Sequence, residues 1–420
     1  MSDLKDQEPR AGASFLPGPP IDRTRVEGFQ RWRCTRDLFV PAPVLTMAQY
    51  ADLTPRRRHI HNLHRLATHS SLPVQGTPMS EAVGWTVKAR IEDGAFSHKA
   101  GIRTGVMVNG GGAQGKTETV CEALAAFEEE WLKVNNYLNP GAVMGTRDLV
   151  APVAYVRCPV KATPISTCKR ILDYFGEDYK GMRLEDLVRT VHDALAEHGT
   201  KALVIDDITR LKLHREADQD VLDLLLEMMS MTVTLILVGV GIPTSGLLRR
   251  GRLDPATKQW VFPPIKDRGR SPNDLAATQH ERRFELVHLD PFSYETPAGI
   301  NAWIVHLRGL EKCVRLLHDT AGMLTEQDMP EYLFQRTNGV VGLLEKLIQR
   351  GCRLAIENGS ERLTRTLLDR CAISPTDLAD LDAESGEQPV IPPVRSKPPQ
   401  KARSRNTVFD DDGPAAESAV

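Results

Sequence analysis

Several things are missing from this 420-residue sequence, and each absence excludes a class of protein. Its seven cysteines form no C-x-x-C pair, which argues against a disulfide framework or a zinc site and for a reducing compartment. His59, His61 and His64 lack partner cysteines or carboxylates at metal-ligand spacing. The longest apolar run, near Val233 to Pro243, is about half of the roughly 20 residues that a spanning helix needs. The N-terminus, Met1 to Glu8, is polar and acidic rather than a secretory signal. A formal net charge of −2 gives no excess of one sign that would force a nucleic-acid or membrane partner. After Gly239-Val240-Gly241 the sequence reaches Thr244 where a dinucleotide fingerprint needs glycine. No nucleophile elbow, catalytic triad or internal repeat can be read. The expectation is a cytoplasmic protein with no membrane partner. Its 41% hydrophobic content suffices for a core of about 300 residues with extensions.

One stretch carries chemistry: Gly110, Gly111, Gly112, Ala113, Gln114, Gly115, Lys116 and Thr117 fit G-x-x-x-x-G-K-[ST]. Glycines let such a loop turn through positive φ and bring its amides close to phosphate oxygens. Lys116 is expected to reach the β- and γ-phosphates, and the Thr117 hydroxyl to ligate Mg²⁺. The context fits, because Gly105–Asn109 reads as a short buried strand and the segment from Glu118 to Phe127 as a helix whose N-terminus faces the anion. Further on, Lys201-Ala202-Leu203-Val204-Ile205-Asp206-Asp207 reads as a buried parallel strand ending in acid. Asp206 is the expected Mg²⁺ ligand and Asp207 the residue that polarises the attacking water. ATP and Mg²⁺ are therefore the expected cofactors, with Glu118 closing the nucleotide-binding set.

The rest of the chain divides around this site. Residues 1–22 carry proline, glycine and charge and read as disordered. Residues 23–74 form a basic extension, with a helix near 55–69 bearing Arg56, Arg57 and Arg58. An α/β core over 75–292 has strands at Gly105–Asn109, Val153–Cys158, Ala202–Asp206, Thr232–Val238 and Phe284–Leu289, alternating with helices as a doubly wound parallel sheet does. Only helical periodicity appears over 293–375, and the tail 384–420 reads as disordered.

A helical lid behind a nucleotide-binding sheet resembles the AAA+ branch of the P-loop NTPases, and finer patterns resemble the TniB/TnsC-type ATPases that regulate transposition. The segments concerned are Leu45–Pro55, Val153–Val156 with Lys161–Pro164, Ile205–Leu211, Arg282–Leu286 and Thr337–Leu344, in the family's order and spread over residues 45–375. The resemblance implies an ATP-hydrolysing homo-oligomer, ring or filament, that binds double-stranded DNA and recruits a DDE-type transposase. It also implies an arginine contributed to a neighbour's nucleotide, for which Arg282 and Arg283 are the candidates, against the plain alternative of a solvated strand edge. DNA contact falls on Arg56, Arg57 and Arg58, or on Arg249, Arg250 and Arg252 within the basic segment Gly246–Asp274.

The sequence departs from the family in four places. Asp207 stands where glutamate is commoner, Thr209 replaces a histidine, no polar side chain follows the fourth strand within Gly239-Val240-Gly241, and Gly342 takes the place of a second sensor arginine. A slow ATPase acting as a switch fits these losses better than a fast motor. Two alternatives stand beside it: a signalling ATPase of the STAND type, which needs a repeat region, and an ATP-binding scaffold that does not hydrolyse.

Overall fold

A computed structural model describes residues 15–16, 18–99, 101–140, 150–160, 162–210, 216–231, 233–245, 252–253, 260–261, 283–318 and 321–373. Three helices precede the core: α1 (Val26–Thr35), α2 (Met47–Ala51) and α3 (Pro55–Ser70). Then come α4 (Pro78–Ala95), β1 (Gly105–Gly110), α5 (Lys116–Leu138), β2 (Val153–Arg157), α6 (Pro164–Phe175), α7 (Leu184–Glu197) and β3 (Ala202–Asp206). They are followed by α8 (Glu216–Ser230), β4 (Thr234–Gly239), the short strands β5 (Arg252–Leu253) and β6 (Trp260–Val261), and β7 (Phe284–Leu289). The lid comprises α9 (Pro297–Cys313), α10 (Met329–Thr337), α11 (Val341–Glu357) and α12 (Arg365–Leu368). Threonine caps followed by proline begin α3, α4, α6 and α9, each threonine side chain accepting from an amide of the first turn.

β2, β3, β4, β1 and β7 form one sheet in that order, every pairing parallel. The chain leaves β1, crosses to the outer strand β2 and fills back through β3 to β4, which comes to rest between β3 and β1. All C-terminal strand ends therefore share one edge, the edge where ligands bind in open α/β sheets. The central strands β3 and β4 are buried along their whole length, which their uninterrupted apolar runs require. The antiparallel pair β5–β6 was not legible in the sequence.

Two hydrophobic clusters lie under this surface. One joins the sheet to its helices and takes in Val26 and Phe29 of α1; the other, from Phe292 to Cys371, belongs to the lid. Several arginines of the N-terminal segment are committed inside the molecule. Arg33 pairs with Glu128 at 2.8 Å and Arg36 with Glu122 and Glu129 at 3.2 and 2.9 Å, all on α5. Arg65, on α3, is 1% exposed and grips Glu361 of the lid with both guanidinium nitrogens, at 2.6 and 3.1 Å. Burying such a pair without its partner would leave an uncompensated charge. Among the described residues, no helix is long and apolar enough to cross a membrane.

Candidate nucleotide site

The site is built where β1 stops and α5 starts. Gly110 must lack a side chain, since a Cβ there would lie 2.7 Å from the Leu289 carbonyl oxygen of β7. The loop then turns through left-handed backbone at Ala113 (φ 57°) and Gly115 (φ 81°), the second of which starts α5. Lys116 is buried, and its Nζ donates to the Gly111 carbonyl at 2.8 Å. The Gly111 amide donates to Gln114 Oε1 at 2.6 Å, so the glutamine occupies an amide that a phosphate oxygen would otherwise claim. The positive end of a 23-residue helix favours an anion in this cradle.

Across the edge, the Thr117 hydroxyl donates to Asp206 Oδ2 at 2.7 Å. The same oxygen accepts from the Tyr155 hydroxyl at 2.6 Å, while Oδ1 accepts from the Asp207 amide at 2.9 Å. Thr117 and Asp206 thus offer a pair of oxygen donors at one point, a hard donor set that suits Mg²⁺. Burial, and then the neighbouring Asp206, push Tyr155 well above the ordinary phenol value, so it remains a proton donor to that carboxylate.

Asp207 ends the strand in left-handed backbone (φ 57°), a conformation that aspartate tolerates better than most residues, and is 2% exposed. Its Oδ2 lies 2.8 Å from Arg210 Nη2, one turn on, and Arg210 Nη1 also donates to the Cys158 carbonyl. Burial first, then the charge of Asp206, raise the Asp207 carboxyl to about 6 against the opposing pull of Arg210, Arg157 and Lys116. Gly239, at the end of β4, leaves room for this turn, because a Cβ would press at 3.0 Å on Ile208 and Thr209.

The position after the fourth strand indeed presents only Gly239-Val240-Gly241, but β1 supplies what that turn lacks. Asn109 Oδ1 accepts from the Ile242 amide at 2.9 Å, and Asn109 Nδ2 meets His288 Nδ1 at 3.1 Å, tying β4's exit turn and β7 together beneath the phosphate loop. A polar residue closing an apolar strand was the signal for it. Tyr155 inside the apolar run of β2 was another.

The lid touches the loop directly. The Gly342 amide donates to the Ala113 carbonyl at 2.9 Å, and a Cβ on Gly342 would come within 2.8 Å of that oxygen. This packing explains why no arginine stands there. One turn further, burial and then the charge of Glu118 raise Glu345 to about 7. A folded value above the ordinary 4.5 means that stability is fully present below 4.5 and is lost as pH rises through about 7. Glu345→Gln should therefore stabilise the protein by roughly 1–3 kcal/mol at pH 8, a Tm rise of a few degrees, with little change at pH 5. Thermal melts at the two pH values check this.

The remaining sequence candidates are scattered. The Glu118 carboxylate is held by both terminal guanidinium nitrogens of Arg23. Arg56 and Arg57 are exposed on the first turn of α3, whereas Arg58 donates to the Ala51 carbonyl and lies over Tyr50. Arg283 immediately precedes β7, whose first residue pairs with Gly105, so it sits at the opposite edge of the sheet from the phosphate loop. Arg282, Arg249 and Arg250 lie outside the described residues, as does the side chain of Arg252, whose backbone opens β5. Near the lid hinge, a cavity of about 350 Å³ opens between residues 76–78 and α9. Phe292 and His306 line it, and burial lowers His306 to about 4, leaving its ring neutral.

Phosphate loop, acid strand one place removed across β4, and a helical lid seated on the loop define a P-loop AAA+ α/β fold. Residues 105–242 match the family model of an AAA domain. No curated protein matches the chain significantly. Solved structures similar to it include Cdc6p from Pyrobaculum aerophilum, at 14% identity over 76% of this chain and 83% of that one, with a TM-score of 0.43. The Aeropyrum pernix ORC1 protein in complex with DNA shares 16% identity over 73% and 68% of the two chains, with a TM-score of 0.37. A Walker-type ATPase of Pyrococcus abyssi shares 15% over 71% and 75%, with a TM-score of 0.39.

Proposed function

We propose that this chain binds ATP with Mg²⁺ at the loop and hydrolyses it slowly, as an oligomeric, DNA-associated switch that regulates transposition. The observation that carries the nucleotide reading is the 2.7 Å contact of Thr117 with Asp206, with Lys116 buried beside it and Asp207 behind. Lys116 and the loop amides hold the phosphates, Thr117 and Asp206 hold the metal, and Asp207 orients the water. Bound Mg²⁺ would supply charge neutralisation on the transferred phosphoryl group. The base would find room in the cavity lined by Phe292, three residues beyond the Leu289 carbonyl that abuts Gly110. A short acid already engaged by Arg210 supports slow turnover, and the same contact is the reason to keep the non-hydrolysing scaffold as the second reading.

The assembly part of the proposal rests on position. Arg283 lies a full strand, about 20 Å, from its own phosphate loop, so any nucleotide it acts on would be a neighbour's. A head-to-tail contact of that kind closes into a ring or extends as a filament. The transposition role, with a DDE-type transposase as partner, rests on the ordered sequence patterns, and Arg56 and Arg57 are the exposed cations offered to DNA phosphates. Alanine at Arg282 or Arg283 should leave ATP binding intact but impair hydrolysis and oligomer growth on DNA. Mixing that variant with Lys116→Ala protein should restore part of the turnover, each supplying the half-site the other lacks. Absence of rescue in the mixed ATPase assay would remove the shared-site reading.

A further inference from the structure

Arg23 belongs to no part of the expected site, yet its guanidinium ends beside it. Its position is fixed by α1, whose Val26 and Phe29 are buried in the core and whose Arg33 and neighbouring Arg36 bind the acidic face of α5. The chain is thereby pinned along the helix that the phosphate loop opens. From this anchorage Arg23 Nη1 donates to Glu118 Oε2 at 2.8 Å and Nη2 to Oε1 at 2.6 Å. The same group lies 5.0 Å from the Trp32 ring and 6.0 Å from the ring of Tyr155, the tyrosine bonded to Asp206. Glu118 is the residue after Thr117. Unpaired, its carboxylate would be free to repel the phosphates or to compete for the metal that Thr117 and Asp206 are read to hold.

We propose that Arg23 is a positioning residue that holds the Glu118 carboxylate off the metal–phosphate site, so that docking of the N-terminal arm sets the affinity for Mg²⁺-nucleotide. This rests on the reading of Lys116, Thr117 and Asp206 as the nucleotide and metal site. The fork geometry matters as much as the charge, because two parallel N–H···O contacts fix the orientation of the carboxylate and a lysine offers only one point of attachment. Partners that orient groups around a metal site typically change metal affinity by about 10–100-fold when removed.

The test is binding of a fluorescent ATP analogue to the full chain with Mg²⁺ present, with Lys116→Ala as control. Arg23→Gln should weaken binding by about 10-fold or more, Arg23→Lys should recover part of the loss, and adding Glu118→Gln to Arg23→Gln should restore most of it. Rescue by a second substitution is not expected if Arg23 only braces α1, since the brace is equally absent in the double variant. Wild-type affinity in Arg23→Gln, or a loss that Glu118→Gln does not relieve, overturns the inference and leaves the site assignment standing. A wild-type chain that binds the analogue no better than Lys116→Ala overturns both.

Discussion

Replacing Lys116 with alanine will abolish ATP binding. Lys116 is the only side-chain cation of the phosphate loop, it is buried, and its Nζ is held within the loop by the Gly111 carbonyl. A hydrogen bond to a charged group contributes about 1.5–3 kcal/mol, and this ammonium would meet more than one phosphate oxygen. The expected loss is therefore ~100-fold in affinity or greater, since each 1.4 kcal/mol is a factor of ten. Equilibrium binding of a fluorescent ATP analogue measures it directly. Unchanged affinity in a folded variant would falsify the assignment of the loop.

Asp207→Asn should separate hydrolysis from binding. The substitution keeps the shape of the side chain and removes the negative charge that polarises water, so turnover should fall by about 10²–10⁴-fold while ATP stays bound and assemblies persist. The acid limb of the rate profile reports the same group. A base must be ionised to act, and burial with Asp206 nearby raises the Asp207 carboxyl to about 6. Wild-type kcat/KM, which reports the free protein, should accordingly decline below pH 6, by about tenfold per unit once the carboxyl is mostly protonated. Asp207→Glu is the sharper comparison: if the shorter acid limits the rate, glutamate should raise it. Turnover indifferent to Asn, with a flat profile between pH 5 and 7, would shift the reading to the scaffold that binds without hydrolysing.

How much of this could be read in advance follows from the range of the interactions. The strands at Gly105, Val153, Ala202 and Phe284 were legible because each is a short apolar run bounded by turn residues, and each begins in the structure at the residue named. The fourth begins at Thr234 rather than Thr232, a boundary that apolarity alone does not mark. The β5–β6 pair is too short to carry a period. Basic composition over residues 23–74 was legible too, but not its use. Arg23, Arg33 and Arg36 lie against α5 and Arg65 against Glu361, contacts between residues dozens to hundreds apart in sequence.

The local sequence determined the loop, the helix behind it, the acid that closes β3 and the helical character of the lid. These depend on glycine's freedom at positive φ, on hydrophobic period and on capping, all of which act over a few residues. The tertiary structure alone decided that β4 lies between β1 and β3, that Tyr155 and Thr117 share one oxygen of Asp206, and that Arg210 has hold of Asp207. It alone seated Gly342 on Ala113 and brought Arg23 to Glu118. Such contacts are set by the order in which strands join a sheet and by which helix faces meet, and no spacing within the sequence encodes either.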